Sequence, residues 1–400
     1  MPNLDMLNTL GDAMGDVYAA CHDRLLINLA RHFKFLRPGE EPGGAFQYQA
    51  RKLAEFGQVT RESTEIIRAM LGDVDSELAD SLEAAIADAL EEVEPELARA
   101  VRAGQLPAEP GPTSPRTTQA FRSYYAQAAD KLNLVNTRML ASTEEAYRGT
   151  VADATARMQQ TQGIINAATG EVITGVESFN QAQRQAVERM AANGITGFVD
   201  SGGHHWAPET YVAMDMRTTY HNASREAFFG RNEEYGNDLY LVSQHPGARP
   251  LCYPWQCKVI SREGPARDVT DGDGNPVHVY AQSETSYGEP AGLFGINCGH
   301  HPQLFIPGAS KVPKVDQDEG KNAEVYAQSQ RQRGLERAFR KARLDLDVAK
   351  AQGADKEELE KLKGKLREAD VKLSQFEKDT GRRRRREREY GPRGGNRRGM

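Results

Sequence analysis

A chain of 400 residues is longer than one hydrophobic core usually organises, so two or three folding units are expected. Its 38% apolar and 27% charged residues suit a chain with much helical surface. No apolar run approaches the ~20 residues that span a bilayer, and MPNLDMLNTLGDAMGD at the start lacks a signal peptide's basic and apolar regions. Cytoplasmic synthesis without secretion or a membrane partner is therefore expected. The net charge of −6 is uneven, because nine arginines and two glutamates make residues 381–400 +7 and leave −13 upstream.

Residues 1–102 read as an acidic helical region. Leu7, Leu10, Met14, Val17, Cys21, Leu25, Leu29 and Phe33 follow one another at steps of three and four, one stripe of a helix, which makes Cys21 a core residue. Helices are expected to continue through 46–102. Between Asp73 and Glu96 lie ten acidic side chains and no basic one, with Val74, Leu78, Leu82, Ile86 and Leu90 on the buried face. The stretch 103–116 then breaks the pattern with four prolines and two glycines and reads as a linker.

Residues 117–194 return to helical spacing, with a small hairpin predicted at Thr169-Gly170 within GIINAATGEVITG. A helix near 179–193 should stop at Gly194, a natural left-handed cap. From 195 to 313 glycine, proline and aromatics become frequent, which predicts a compact α+β domain. A helix is expected over Pro208–Gly230, with Tyr211, Met214, Thr218, His221, Arg225 and Phe228 on one face. DLYLVS and CKVIS read as strands, and DGDGNP as the turn between CKVIS and VHVY.

Residues 314–380 carry two apolar stripes, Leu335, Phe339, Ala342, Leu346, Ala349 and then Leu359, Leu362, Leu366, Ala369, Leu373, Phe376, each with coiled-coil-like spacing. The stripes do not share a register. Gly353, followed by Asp355 and Glu358, is a helix stop and a capped restart, which predicts an antiparallel helical hairpin rather than one rod. Residues 381–400 have almost nothing to bury and should stay disordered until they meet a polyanion. The fold class is α+β: a mostly helical N-terminal region, a compact α+β central domain with short β-hairpins, and a C-terminal helical hairpin or coiled coil with a disordered basic tail.

The four cysteines are too few for a disulfide scaffold, yet Cys252, Cys257 and Cys298 fall in one region. The segment His245-Pro-Gly-Ala-Arg249-Pro-Leu-Cys252-Tyr-Pro-Trp255-Gln256-Cys257 is followed by Gly292-Leu-Phe-Gly-Ile-Asn297-Cys298-Gly-His300-His301. Thiolates and imidazoles are the ligands that tetrahedral Zn²⁺ prefers. Cys252, Cys257, Cys298 and His300 could meet across a hairpin and hold a structural zinc. The competing reading is reduced cysteines in a small core, with His300 and His301 hydrogen-bonded at a turn. Asp271, Asp273 and Asn275 alternate as in a calcium loop, but Pro276 replaces the required glycine and no glutamate closes the loop, so a hairpin turn is expected.

His204, His205, Trp206 and Arg217 are accounted for by packing. No nucleophile elbow, phosphate-binding glycine loop or zinc-protease helix is present, so no catalytic residue is assigned. Arg382, Arg383, Arg384, Arg385, Arg386, Arg388, Arg397 and Arg398 could neutralise phosphates and bind DNA or RNA without sequence preference, against a plainer role as a solubilising tail.

ITGFVDSGGHHWAPETYVAMDMRTT, SQHPGARPLCYPWQCKVIS and GLFGINCGHHPQLFIPG, in that order within residues 190–310, resemble the signature segments of the phage minor capsid protein 2 family, related in role to Mu F-like head morphogenesis proteins. The resemblance implies a structural virion protein without established catalysis. It would lie in the phage head near the portal vertex, passing through the host cytoplasm during assembly. Its partners would be the portal, other head proteins, phage DNA through the tail, and a second copy of the chain as a homo-oligomer. The family pattern lands on Trp206, Arg217, His245, Arg249, Cys252, Trp255, Gln256, Asn297, Cys298 and His300, with His204 where an arginine is usual and Cys257 where a glycine is usual. The shared His245, Cys252, Cys298 and His300 form a second set of four ligands, and the sequence does not choose between the two. A metal-dependent nuclease or toxin-like enzyme delivered with the genome is the alternative reading, and a nucleic-acid adaptor acting outside the particle is a third.

Overall fold

The N-terminal stripe folds as α1 (Leu4–His32), with Leu7, Met14, Cys21, Leu25 and Leu29 buried along it. The computed structural model describes residues 4–385 except 41, 92, 108–109, 112–113, 170–175, 201 and 317, together with residue 389. The helices α2 (Ala45–Ala54), α3 (Phe56–Leu71), α4 (Val74–Glu91), α5 (Val93–Arg102), α6 (Pro115–Thr169) and α7 (Val176–Asn193) follow. Next come a hairpin of β1 (Phe198–Val199) and β2 (His205–Trp206), α8 (Pro208–Glu234), and the strands β3 (Leu239–Val242), β4 (Val259–Ser261), β5 (Arg267–Thr270), β6 (Pro276–Ala281) and β7 (Pro302–Leu304). Two helices, α9 (Glu319–Gln352) and α10 (Lys356–Thr380), close the order, and the class is α+β as expected. Among the described residues no helix is long and apolar enough to cross a membrane.

The chain separates into two units, each of three segments: 1–14, 73–131 and 212–331 in the first, 15–72, 132–211 and 332–400 in the second. In the first unit the sheet order is β5-β6-β4-β3-β7, antiparallel except where β4 runs parallel to β6. Because side chains alternate across a strand, β3 sends Tyr240 and Val242 to one face and Leu239 and Leu241 to the other, and all four are buried. The first face packs on Val93, Leu97 and Ala100 of α5 and on Phe228 and Phe229 of α8. The buried Arg231 of α8 ties these two helices, its Nε donating to Glu94 at 2.6 Å and Nη1 to Glu234 at 2.9 Å. The start of α1 reaches α8 at Gly11, where an added Cβ would overlap the Arg217 side chain.

In the second unit Tyr48, Met158, Phe179 and Ala186 share a core, and Asn180 clamps the Leu36 backbone, accepting from its N–H at 2.7 Å and donating to its carbonyl at 3.1 Å. The C-terminal helices turn back on each other as the break at Gly353 implies. Gly353 has φ 84°, and Asp355 caps α10 by accepting from the Glu358 N–H at 2.9 Å. Gln332 of α9 bonds both the Arg382 guanidinium, at 3.1 Å, and the Arg383 carbonyl, at 3.0 Å, beyond the end of α10. The pair is therefore antiparallel. The Glu358 side chain does not complete a capping box but pairs with Arg184 at 2.9 Å.

Three local expectations need adjustment. The hairpin across DGDGNP joins β5 to β6 rather than CKVIS to VHVY, because Arg267–Thr270 forms an intervening strand. At its turn the Asp271 carboxylate accepts from the Asp273 and Asn275 amides at 2.9 and 2.8 Å. The helix α8 passes through Gly230 to Glu234, since Gly230 gives room to Arg116, whose Cβ would lie 2.9 Å from an added Cβ. The left-handed stop comes instead at Gly236, φ 78°. The helix α6 extends to Thr169, and the remainder of the turn expected at Thr169-Gly170 lies outside the described residues.

Leu97 is wholly buried beneath the sheet. Leu97→Ala should destabilise the first unit by about 2–5 kcal/mol, read as a lower midpoint in denaturant unfolding, whereas Glu83→Ala on the exposed side of α4 should leave the midpoint in place.

Candidate metal centre

The loop leaving β3 and the loop entering β7 carry the chemistry. After Val242 the chain runs through His245 and Arg249 into a single 3-10 turn, Tyr253–Trp255, with Pro254 inside it. The second loop has left-handed residues at Phe294 (φ 59°) and Asn297 (φ 55°), which fold the backbone tightly enough to bring Cys298 back toward Cys252. Arg249 seals the junction by donating to the carbonyls of Ile296 at 2.7 Å and Gly292 at 2.9 Å. The Cys252 thiol meets the same Gly292 carbonyl at 3.3 Å.

Cys252, Cys298 and His300 come together, their ligand atoms all within 4.8 Å of one another and all buried. The two sulfurs are 3.8 Å apart, and Cys298 Sγ lies 3.3 Å from His300 Nδ1. A tetrahedral zinc with bonds of about 2.3 Å to sulfur and about 2.0 Å to nitrogen requires edges of about 3.8 Å for S···S and about 3.5 Å for S···N. The donor set and its spacing therefore fit a zinc ion. The hydrogen bond from Cys252 draws the Cys298 thiol far below its ordinary range, to about 3, with His300 helping against the opposing effect of burial. Cys252 is raised by the same hydrogen bond and by burial. The two shifts run in opposite directions because the sulfurs share one hydrogen bond.

Gln256 stands behind this group. Its Oε1 accepts from the His245 backbone N–H at 2.8 Å and lies 3.3 Å from His300 Nε2. The His245 ring stacks obliquely on His300, centroids 4.3 Å apart. Burial, helped by His300, lowers the His245 imidazole to about 4, so it is neutral at pH 7. Cys257 is not part of the group: it is buried in a left-handed conformation, φ 57°, and its amide donates to the Val242 carbonyl at 3.0 Å. His301 also stays outside it, and neither of its ring nitrogens has a hydrogen-bond partner among the described residues. The cavity that His300 and His301 line with Leu7, His221, Arg225 and Phe228 measures about 10 Å³, room for about one water.

The other sequence-predicted residues are placed as internal struts. Trp206 Nε1 donates at 3.1 Å to Asp200, which also accepts from the His204 amide at 2.8 Å. Arg217 pairs with Asp12 at 3.0 Å, and Trp255 meets the Tyr280 ring edge-on. Of the tail arginines, Arg384 is nearly enclosed, paired with Asp370 at 2.8 Å and Glu389 at 2.5 Å, and Arg382 is held by Gln332. Arg386, Arg388, Arg397 and Arg398 lie outside the described residues. Asp200 and Asp12 were not anticipated, since a lone aspartate carries no local signal of a distant partner.

The segments that build this centre lie within a wider likeness. Residues 3–377 match the phage minor capsid protein 2 family, and the chain belongs to that family. A relative 31% identical over 251 residues is the "Structural protein" of Lactococcus phage LL-H; the shared stretch covers 61% of this chain and 63% of that protein, somewhat under two thirds of its length. No solved structure matches the chain. The protein is thus a phage structural protein of the minor capsid class.

His221 beside this cavity gives the unit an acid limit. Burial, and then the Arg225 charge, lower its folded pKa from 6.5 to about 4. A depressed histidine contributes stability that is complete above the unfolded value and is lost as pH falls from 6.5 toward 4, because the unfolded chain takes the proton first. Thermal unfolding of the wild type should therefore weaken through that window, and His221→Gln should show a shallower dependence.

Proposed function

We propose that this chain is a portal-associated minor head protein whose basic tail contacts packaged DNA, and whose first unit is fastened by a structural zinc on Cys252, Cys298 and His300. The family match across residues 3–377 carries the virion assignment. The name of the phage LL-H relative supports it. The portal location and the DNA contact extend that assignment. A portal partner and a second copy of the chain are the protein contacts this reading includes.

The enclosure of the thiols and His300 supports a structural rather than a catalytic ion, since a nuclease metal must meet a phosphodiester and keep an open coordination position. In this reading Arg384 is the tail's anchor, held by Asp370 and Glu389. The arginines around and beyond it, Arg382, Arg383, Arg385, Arg386, Arg388, Arg397 and Arg398, are the groups offered to phosphate.

Mass spectrometry of purified particles should find the chain at low copy number, and a particle reconstruction should put it at the portal vertex. Its absence from virions would remove the reading. Deleting residues 386–400 should weaken binding to duplex DNA and flatten the log–log salt dependence by about 0.9 for each phosphate that an arginine no longer neutralises. An unchanged slope would place DNA binding elsewhere. The purified protein should contain zinc, removed by joint Cys252→Ser and Cys298→Ser substitution, and incubation with DNA plus zinc or magnesium should leave the DNA intact.

A further inference from the structure

Cys252, Cys298 and His300 leave a tetrahedral ion one ligand short, and three nearby groups compete to supply it: Cys257 and His301, both buried, and His245, whose Nε2 atom is buried. We propose that His245, through Nε2, is the fourth ligand, and that Gln256 is the positioning residue that aims the two histidines. This rests on the zinc reading above and closes the site as two thiolates and two imidazoles.

The case for His245 is one of atoms with and without work. Its Nδ1 faces the Pro246 carbonyl at 3.1 Å and can donate there, which leaves Nε2 as the lone-pair nitrogen. That Nε2 is buried and has no hydrogen-bond partner among the described residues. Buried polar atoms are nearly always satisfied, so an orphan beside three convergent ligands points to a missing ion. The ring already touches His300, and the space in front of Nε2 is kept by Gly299, where a Cβ would lie only 2.8 Å away. As the chain stands His245 lies outside the group of atoms within 4.8 Å of one another, so the assignment requires the imidazole to turn about its side-chain bonds toward the sulfurs when the ion binds.

The rivals lack the contact with His300 that the His245 ring makes. Cys257 sits in a left-handed conformation, and its amide is part of the backbone bonding to β3, so its thiol answers to a backbone requirement that glycine would meet more easily. His301 precedes β7 and lines the small cavity with His221 and Arg225, and its ring nitrogens are not among the convergent ligand atoms. The His301 amide is fixed by Ser243 Oγ at 3.0 Å.

Gln256 supplies what a metal-bound histidine ordinarily has, an acceptor for its other ring N–H. With Oε1 3.3 Å from His300 Nε2, it settles the tautomer so that Nδ1 is left for the metal. The same oxygen holds the His245 backbone at 2.8 Å, so one side chain orients both imidazoles.

The test is zinc-edge X-ray absorption on the full-length zinc-loaded protein, with zinc affinity by chelator competition for its variants. The wild type should show two sulfurs and two imidazole nitrogens. His245→Ala should weaken zinc binding at least tenfold, with Cys257→Ser and His301→Ala close to wild type. Gln256→Ala should lose about 10–100-fold in affinity, and Gln256→Glu, which keeps the acceptor, should recover most of it. A shell of three sulfurs, or weakening by Cys257→Ser with none from His245→Ala, would overturn the assignment while leaving a zinc site in place. A wild type without zinc would end the metal reading itself. Should His245→Ala fail to fold, the wild-type sulfur count and the Cys257→Ser affinity still decide.

Discussion

Two buried sulfurs held 3.8 Å apart, with a histidine nitrogen 3.3 Å from one of them, are the constraint around which the two loops of the first unit are arranged. A thiolate out of water is costly unless its surroundings replace hydration. Here the His300 ring lies beside Cys298 and the Arg249 guanidinium beside Cys252, each fixed by a further contact. The loops carrying these groups have little regular structure of their own. Arg249 grips two carbonyls of the opposite loop, and Gln256 spans from a backbone amide to an imidazole, so these side chains tie the two loops to one another.

The family's recognisable residues take part in the same internal bonding. Trp206, Arg217, Arg249 and Gln256 each reach a partner inside the fold, Asp200, Asp12, the Gly292 carbonyl and His300 in turn. Contacts of this kind hold the fold together, which suits a component of a particle. Beneath it, β3 is buried on both faces and lies between β4 and β7, so the loop that leaves it starts from the most constrained strand of the sheet.

Helices were the most legible part of the sequence, because burial on one side imposes the three-four spacing that α1, α4, α9 and α10 all carry, and because Gly194, Gly353 and Asp355 mark ends by their own backbone chemistry. The strand β5 was missed since Arg267-Asp268-Val269-Thr270 offers a single apolar side chain, half-buried at the sheet's edge. The parallel pairing of β4 with β6 is set by long-range packing and leaves no local trace. At the centre, the set of thiols and imidazoles was readable, but spacing gave Cys257 a place equal to the others. What distinguishes it is a positive φ, and the sole hint of that was a glycine at the corresponding family position. The link from Gln256 to His300 joins residues far apart in the chain and had no counterpart in any motif.

The first unit's segmented make-up has a consequence in time as well as in space. Leu97 and its neighbours on α5 find their cover only when Ile260, Leu293 and Ile306 have been made. At bacterial elongation speeds of 5–20 residues per second that is a delay of roughly 10–40 s. Throughout it, an apolar helix face waits without its sheet. The acidic run from Asp73 to Glu96, which holds ten carboxylates and no base, lies on and next to that waiting segment. Like charges repel and favour solubility, and that repulsion is present from the moment the segment is made, before its sheet exists.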